Sequence, residues 1–140
     1  MAQNTSPIFP LVPVIDWVNT GAVTANTTTD LTSGTNYDSS FTANATNGSR
    51  VDFVRVRALG TNVATVMRVW LNNGSATGTA ANNTLFFERT LSATTVSQVA
   101  ELVDIILPIN ASIPAGYKLY YTFGTAVAAG YGIQVVGGDY

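Results

Sequence analysis

The sequence predicts an all-β fold: an antiparallel β-sandwich of about eight short strands, preceded by an extended, proline-containing arm. Three observations carry this expectation. Apolar and polar residues alternate with period two in run after run, the spacing that sends successive side chains to opposite faces of a strand. Gly, Pro and Asn turn signals separate these runs at short intervals. No strand-like run alternates with a helix-length periodic segment, so a parallel sheet with crossover helices is not expected. Of the 140 residues, 46% are hydrophobic, enough for one core without covalent staples.

Residues 1–20 form the arm. Pro7, Pro10 and Pro13 oppose helix and favour extended or polyproline backbone. Phe9, Leu11, Val12, Val14, Ile15, Trp17 and Val18 are too apolar to dangle in water. The arm is therefore expected either to pack along an edge of its own sandwich or to lie on a neighbouring subunit, as in strand addition. Residues 21–140 make the single sandwich domain. It opens with a Thr-rich segment, Gly21 to Leu31, that reads as a weak strand or a strand plus loop, and a turn cluster, Thr32 to Asn36. Tyr37 to Ala43 reads as a strand with Tyr37, Ser39, Phe41 and Ala43 on one side, and Asn47-Gly48 follows as a strong turn signal.

Val51 to Leu71 is the organising stretch. Val54, Val56 and Ala58 share one face of its first run, and Phe53, Arg55 and Arg57 share the other. In the second run Thr65, Met67, Val69 and Leu71 oppose Val66, Arg68 and Trp70. The tight Gly60-Thr61-Asn62 link predicts an antiparallel hairpin. In a hairpin, Arg55, Arg57 and Arg68, three of the six cations, would lie on one sheet face beside Phe53 and Trp70. Arg and Trp are residues that interfaces favour, so this face is a candidate docking surface, with Phe9, Leu11 and Trp17 of the arm supplying apolar contact. The plainer alternative is a solvated face on which arginine stems cover aromatics.

The remaining elements follow in order. Asn72 to Asn83 is a long polar loop, of a kind that is often functional or mobile. Thr84 to Leu91 is a strand, and Ser92 to Ala100 is the only stretch in which a short helix fits. Leu102 to Ile109 is a strand expected to end at Pro108. Ile113-Pro114-Ala115-Gly116 is a turn close to type II chemistry. Tyr117 to Phe123 and Tyr131 to Val136 are the last strands. Eight strands in two antiparallel sheets suggest a jelly roll.

What the chain lacks bounds its function. There is no Cys and no His, which removes disulfides, thiolate metal sites, the commonest general base and the commonest metal ligand. Charged residues are 10% of the chain and the net charge is −2, so nucleic acid is not an expected partner. No apolar run approaches the ~20 residues of a membrane span. The start, MAQNTSPIFP, has no basic residue and is not expected to be a signal peptide. Asp52, Glu88, Glu101 and Asp104 offer no convincing catalytic pair, and Asp30 and Asp38 are too isolated for a calcium loop. No enzyme activity, metal or cofactor is expected. The surface is built from Thr, Asn, Ser and Gly, so many copies could crowd together at little Coulomb cost. Tyr117, Tyr120, Tyr121, Tyr131 and Trp70 could stack on sugars, which leaves a non-catalytic carbohydrate-binding or adhesin module of a phage tail or fibre as the alternative.

Three segments carry a resemblance. They are the proline arm, NGSRVDFVRVRALGTNVATVMRVWLNNG, and LPINASIPAGYKLYYTFGTAVAAGYGI. Through them essentially the whole chain resembles the small jelly-roll cement, or decoration, proteins that coat the capsids of tailed bacteriophages, particularly the podovirus type. The resemblance implies a structural virion protein on the outer capsid surface. Many copies would bind the major capsid protein, bridge its subunits and self-associate, a dimer being favoured over a trimer. It implies no catalytic residue.

Overall fold

A computed structural model describes residues 9–28, 30–32 and 37–140. The chain forms strands β1 (Val12–Asn19), β2 (Tyr37–Thr42), β3 (Ser49–Ala58), β4 (Thr65–Asn72), β5 (Asn83–Leu91), β6 (Asp104–Ile113), β7 (Lys118–Phe123) and β8 (Tyr131–Asp139). They build two four-stranded sheets, ordered β1-β8-β3-β6 and β2-β7-β4-β5. Every strand pairing is antiparallel. Only the β4–β5 connection stays within a sheet; all others pass from one sheet to the other. The pairs β1·β8, β2·β7, β3·β6 and β4·β5 are those of a long antiparallel ribbon rolled around a core, which is the jelly-roll arrangement.

The alternation seen in the sequence becomes the core. Val51, Val54 and Val56 of β3 and Ile133 and Val135 of β8 are fully buried, as are Met67, Val69, Leu119, Tyr121 and Phe123 of the second sheet. Each such side chain contributes roughly 1.5–3 kcal/mol by leaving water. Phe123 and Tyr131 stack with ring centroids 5.4 Å apart, joining β7 to β8.

The predicted hairpin is the main correction. β3 and β4 belong to different sheets, and residues 59–64 form a crossover between them. Period-two alternation shows that each strand has one apolar face. It does not show whether neighbours exchange backbone hydrogen bonds or meet face to face across a core. Here they meet face to face, because both apolar faces are long and each needs a cover. Asn62 fixes the crossover. It is 3% exposed, and its main chain forms an isolated bridge with Thr94. Its side chain donates to Gly130 O at 2.8 Å and accepts from the N–H groups of Ala129 and Gly130 at 2.9 and 3.0 Å. Thr94 Oγ1 donates to Gly60 O at 2.7 Å. Thr20 Oγ1 accepts from the N–H of Tyr131 at 3.0 Å, bringing in the β1–β2 connection.

Other expectations shift locally. The second half of the arm takes the first of its two expected placements, along an edge of its own sandwich: it is β1, an edge strand paired with β8 along its whole length. Pro13 is tolerated there because an edge strand has one row of groups without a ladder partner. Residues 1–8 of the arm lie outside the described residues, as do part of the Thr32 to Asn36 cluster and the side chains of Tyr37 and Ser39. Among the described residues of Gly21 to Leu31, the only β pairing is the single Val23–Val127 bridge. Ser92 to Ala100 is not helical; Thr94 is held extended by its pairing with Asn62. Pro108 does not end its strand. β6 continues to Ile113 past a register shift opposite β3, with Asn110 in the left-handed region at φ 49°. Two turns come out as read: Gly48 and Gly116 have φ of 77° and 76°, and the N–H of Tyr117 donates to Pro114 O at 3.2 Å.

Asn62→Ala leaves the N–H groups of Ala129 and Gly130 without their acceptor and the Gly130 carbonyl with the Leu59 N–H alone, so urea unfolding should show a loss of about 3 kcal/mol. Tyr131 is fully buried and its hydroxyl has no hydrogen-bond partner among the described residues. Tyr131→Phe should therefore raise stability by about 1 kcal/mol in the same measurement.

Candidate functional site

Strand register assembles the site on the outer face of the first sheet. Cross-strand partners in an antiparallel sheet share a face, so the pairings give rows running across all four strands. One row is Ile15, Val136, Phe53 and Pro108. The next is Trp17, Gln134, Arg55 and Ile106, and the third is Asn19, Gly132, Arg57 and Asp104. Ile15, Trp17 and Ile106 are 58%, 62% and 60% exposed, so an apolar band crosses this face in open solvent. A contiguous apolar band of this kind usually marks a contact surface.

The band has a concave end. Between Ile15, Trp17 and Asn19 on one wall and Arg55, Arg57 and Leu59 on the other lies a depression of about 460 Å³, with Gly132 and Gln134 along its floor. Gly132 keeps the floor low. A Cβ there would sit 3.0 Å from Asn19 Oδ1 and 3.5 Å from Leu59 Cδ2.

Charge on this face is partly neutralised from within. Arg55 grips Asp104 with two parallel hydrogen bonds, Nε to Oδ1 at 2.9 Å and Nη2 to Oδ2 at 2.5 Å. The hydrogen bond from Arg55 is the main reason the Asp104 carboxyl titrates below its ordinary range; burial opposes it, and the charges of Arg55 and then Arg57 assist. Arg50 Nε meets Asp52 Oδ1 at 2.8 Å. Arg57 is exposed and has no ion pair among the described residues.

The structure splits the predicted site. Phe53, Arg55, Arg57 and Trp17 do share a face, while Phe9 and Leu11, 68% and 81% exposed, lead into β1. Arg68 and Trp70 do not join them, because β4 is in the other sheet. Trp70 is 4% exposed and donates its indole N–H to Thr122 Oγ1 at 3.0 Å. Arg68 is satisfied within the protein by Glu88 Oε1 at 2.6 Å and by the Asn26 carbonyl at 3.4 Å. Acids of the same chain thus meet Arg55 and Arg68, namely Asp104 and Glu88, while Arg57 makes no ion pair among the described residues. Ile15, Val136, Ile106 and Pro108 were missed as members of the face. Their alternation was legible, but only the strand order places them beside Phe53.

Two further candidates change character. Tyr121, Tyr131 and Trp70 are buried and cannot stack on a sugar. The 72–83 loop is tied down by paired amides: Asn72 Nδ2 donates to Asn83 Oδ1 at 2.7 Å and Asn73 Nδ2 to Asn82 Oδ1 at 3.2 Å. Asn82 and Asn83 also donate to the loop carbonyls of Ala76 and Thr77. The β1 and β6 edges carry Pro13 and Pro108, and β6 adds its register shift. These features discourage strand-to-strand addition and leave the face as the surface for contact.

Among the described residues no three carboxylates cluster as a metal site, and no helix is long and apolar enough to cross a membrane. No protein-family profile, curated protein or solved structure matches this chain.

Asp16 gives the face's edge strand a pH response. It lies opposite inward-facing Val135, and its carboxyl is raised above the ordinary value first by burial and then by the charge of Asp139. The folded form holds this proton more tightly than the unfolded form, so ionisation opposes folding. Stability from this group is full below its ordinary value of 3.8 and declines as pH rises through the raised folded value. Asp16→Asn should therefore melt higher than the parent at pH 7, and the difference should vanish by about pH 3.

Proposed function

We propose that this chain is a non-catalytic structural protein, a capsid cement or decoration protein that binds the outer capsid surface and stabilises contacts between major capsid subunits. The observation that carries this reading is the apolar band across one four-stranded face, with Ile15, Trp17 and Ile106 exposed, Phe53 half-buried between them and Arg57 beside it. A jelly roll offers such a face on a rigid frame, so many copies can dock without reordering their backbones. The low charge density lets copies sit close together on a shell. Self-association, as a dimer, belongs to the same proposal. The sugar-binding alternative is weakened by the burial of three of its five candidate aromatics.

Gel analysis of purified virions should show this protein in copy numbers comparable to the major capsid protein, and stripped shells should regain heat resistance when it is added back. A handful of copies per particle, or no change in shell stability, contradicts the proposal. Phe53→Ala should weaken shell binding by on the order of 2 kcal/mol, since a central aromatic anchor is removed. Its far-UV circular dichroism should be unchanged.

A further inference from the structure

We infer that the depression between Trp17 and Arg57 receives a carboxylate carried on an apolar stretch of the protein against which this face docks. This inference rests on the attachment reading and names the chemistry of the partner. Three observations point to it.

The first is charge. Arg50, Arg55 and Arg57 all come from β3, and Asp52 and Asp104 occupy Arg50 and Arg55. Asp104 is gripped through both oxygens by Arg55, and Arg57 on the opposite register position adds its charge without forming an ion pair. One guanidinium on this face is therefore without an ion pair among the described residues, on a protein whose net charge is −2. The local sign is opposite to the global one, and an acidic group is its complement.

The second is surroundings. Arg57 borders a concavity walled by Ile15, Trp17 and Leu59. An occupant that fills it excludes water from the guanidinium, and a charge-assisted hydrogen bond gains strength in such a site. The depression's size is within the range that holds a side chain or small ligand.

The third is continuity. The apolar row of Ile15, Val136, Phe53 and Pro108 runs directly beside the depression. A free acidic sugar would leave this row uncovered, whereas a peptide segment with apolar residues flanking its acid covers both. A nucleic-acid backbone needs several uncommitted cations in line, and the face offers one.

The test is a titration of the whole protein, followed by amide and indole NMR. The probes are acetyl-Leu-Glu-Leu-amide, its Gln counterpart acetyl-Leu-Gln-Leu-amide, and glucuronate. The Glu peptide should shift the Gly132 amide and the Trp17 indole N–H saturably, with an affinity about tenfold above that of the Gln peptide. Arg57→Gln should reduce the Glu peptide to the level of the Gln peptide. Gly132→Val should abolish both responses by filling the floor; the atoms it meets are the mobile ends of Asn19 and Leu59. Equal affinity for the two peptides, shifts located elsewhere, or a stronger response to glucuronate overturns the inference. Capsid binding separates the two readings. If Arg57→Gln decorates shells as well as the parent, the carboxylate site is wrong and attachment stands. If the parent decorates no shell yet discriminates the peptides, the attachment reading fails and the site stands.

Discussion

The side chain of Asn62 satisfies three backbone groups of the β7–β8 connection inside the protein, and much of the molecule depends on those bonds. A jelly roll has no covalent reason to close. Its crossovers must be held where they pass each other, or the two sheets can slide. At this end of the sandwich the β1–β2, β3–β4, β5–β6 and β7–β8 connections meet through Thr20, Asn62, Thr94 and residues 129–131. Buried amides in a fully satisfied network are stabilising and specific, because any displaced register leaves donors unpaired. Gly130 completes the joint. Its φ is 75°, and a Cβ there would lie 1.7 Å from the Gly21 carbonyl oxygen. This approach admits only glycine.

The same joint shapes the outer face. The N–H of Leu59 donates to Gly130 O, and Gly132 follows two residues later on β8. The backbone that Asn62 holds is therefore the backbone that places the rim and floor of the depression. Rigid support of this kind is what allows a shallow surface to be selective, since little ordering is required when a partner arrives. The face is thus linked through Asn62 to the core. The 72–83 loop, the longest polar segment, is itself pinned by its asparagine pairs.

Much of the fold was legible in the sequence, because alternation reports directly on burial. Val54, Val56, Met67, Val69, Ile133 and Val135 were inward as their spacing required. Turn residues were equally readable, with Gly48 and Gly116 at positive φ. What could not be read was non-local. The Gly60-Thr61-Asn62 link looks like a hairpin turn, and only the burial of Asn62 reveals a crossover. This single ambiguity moved Arg68 and Trp70 to the wrong face. Trp70 was read as an exposed anchor because its alternation is outward. The structure buries it beside Thr122, to which its indole N–H donates, and the main chain of Asn26 bonds Arg68 and the Phe123 carbonyl on the same sheet. Pro108 was read as a strand end because proline cannot donate. At an edge that costs nothing, and the strand runs on.

The outer face of the first sheet carries the proposed contact, and residues on the two sheets can be told apart by their change in accessibility on binding. Hydroxyl-radical footprinting of the protein free and bound to the proposed capsid shell would read Trp17, Phe53 and Ile106 on one sheet against Leu85 and Phe86 on the other. Leu85 and Phe86 are 43% and 37% exposed, so both sets start reactive enough to lose signal. The account predicts strong protection of Trp17, Phe53 and Ile106 on binding, with Leu85 and Phe86 unchanged. Protection of Leu85 and Phe86 with Trp17 still reactive would contradict it.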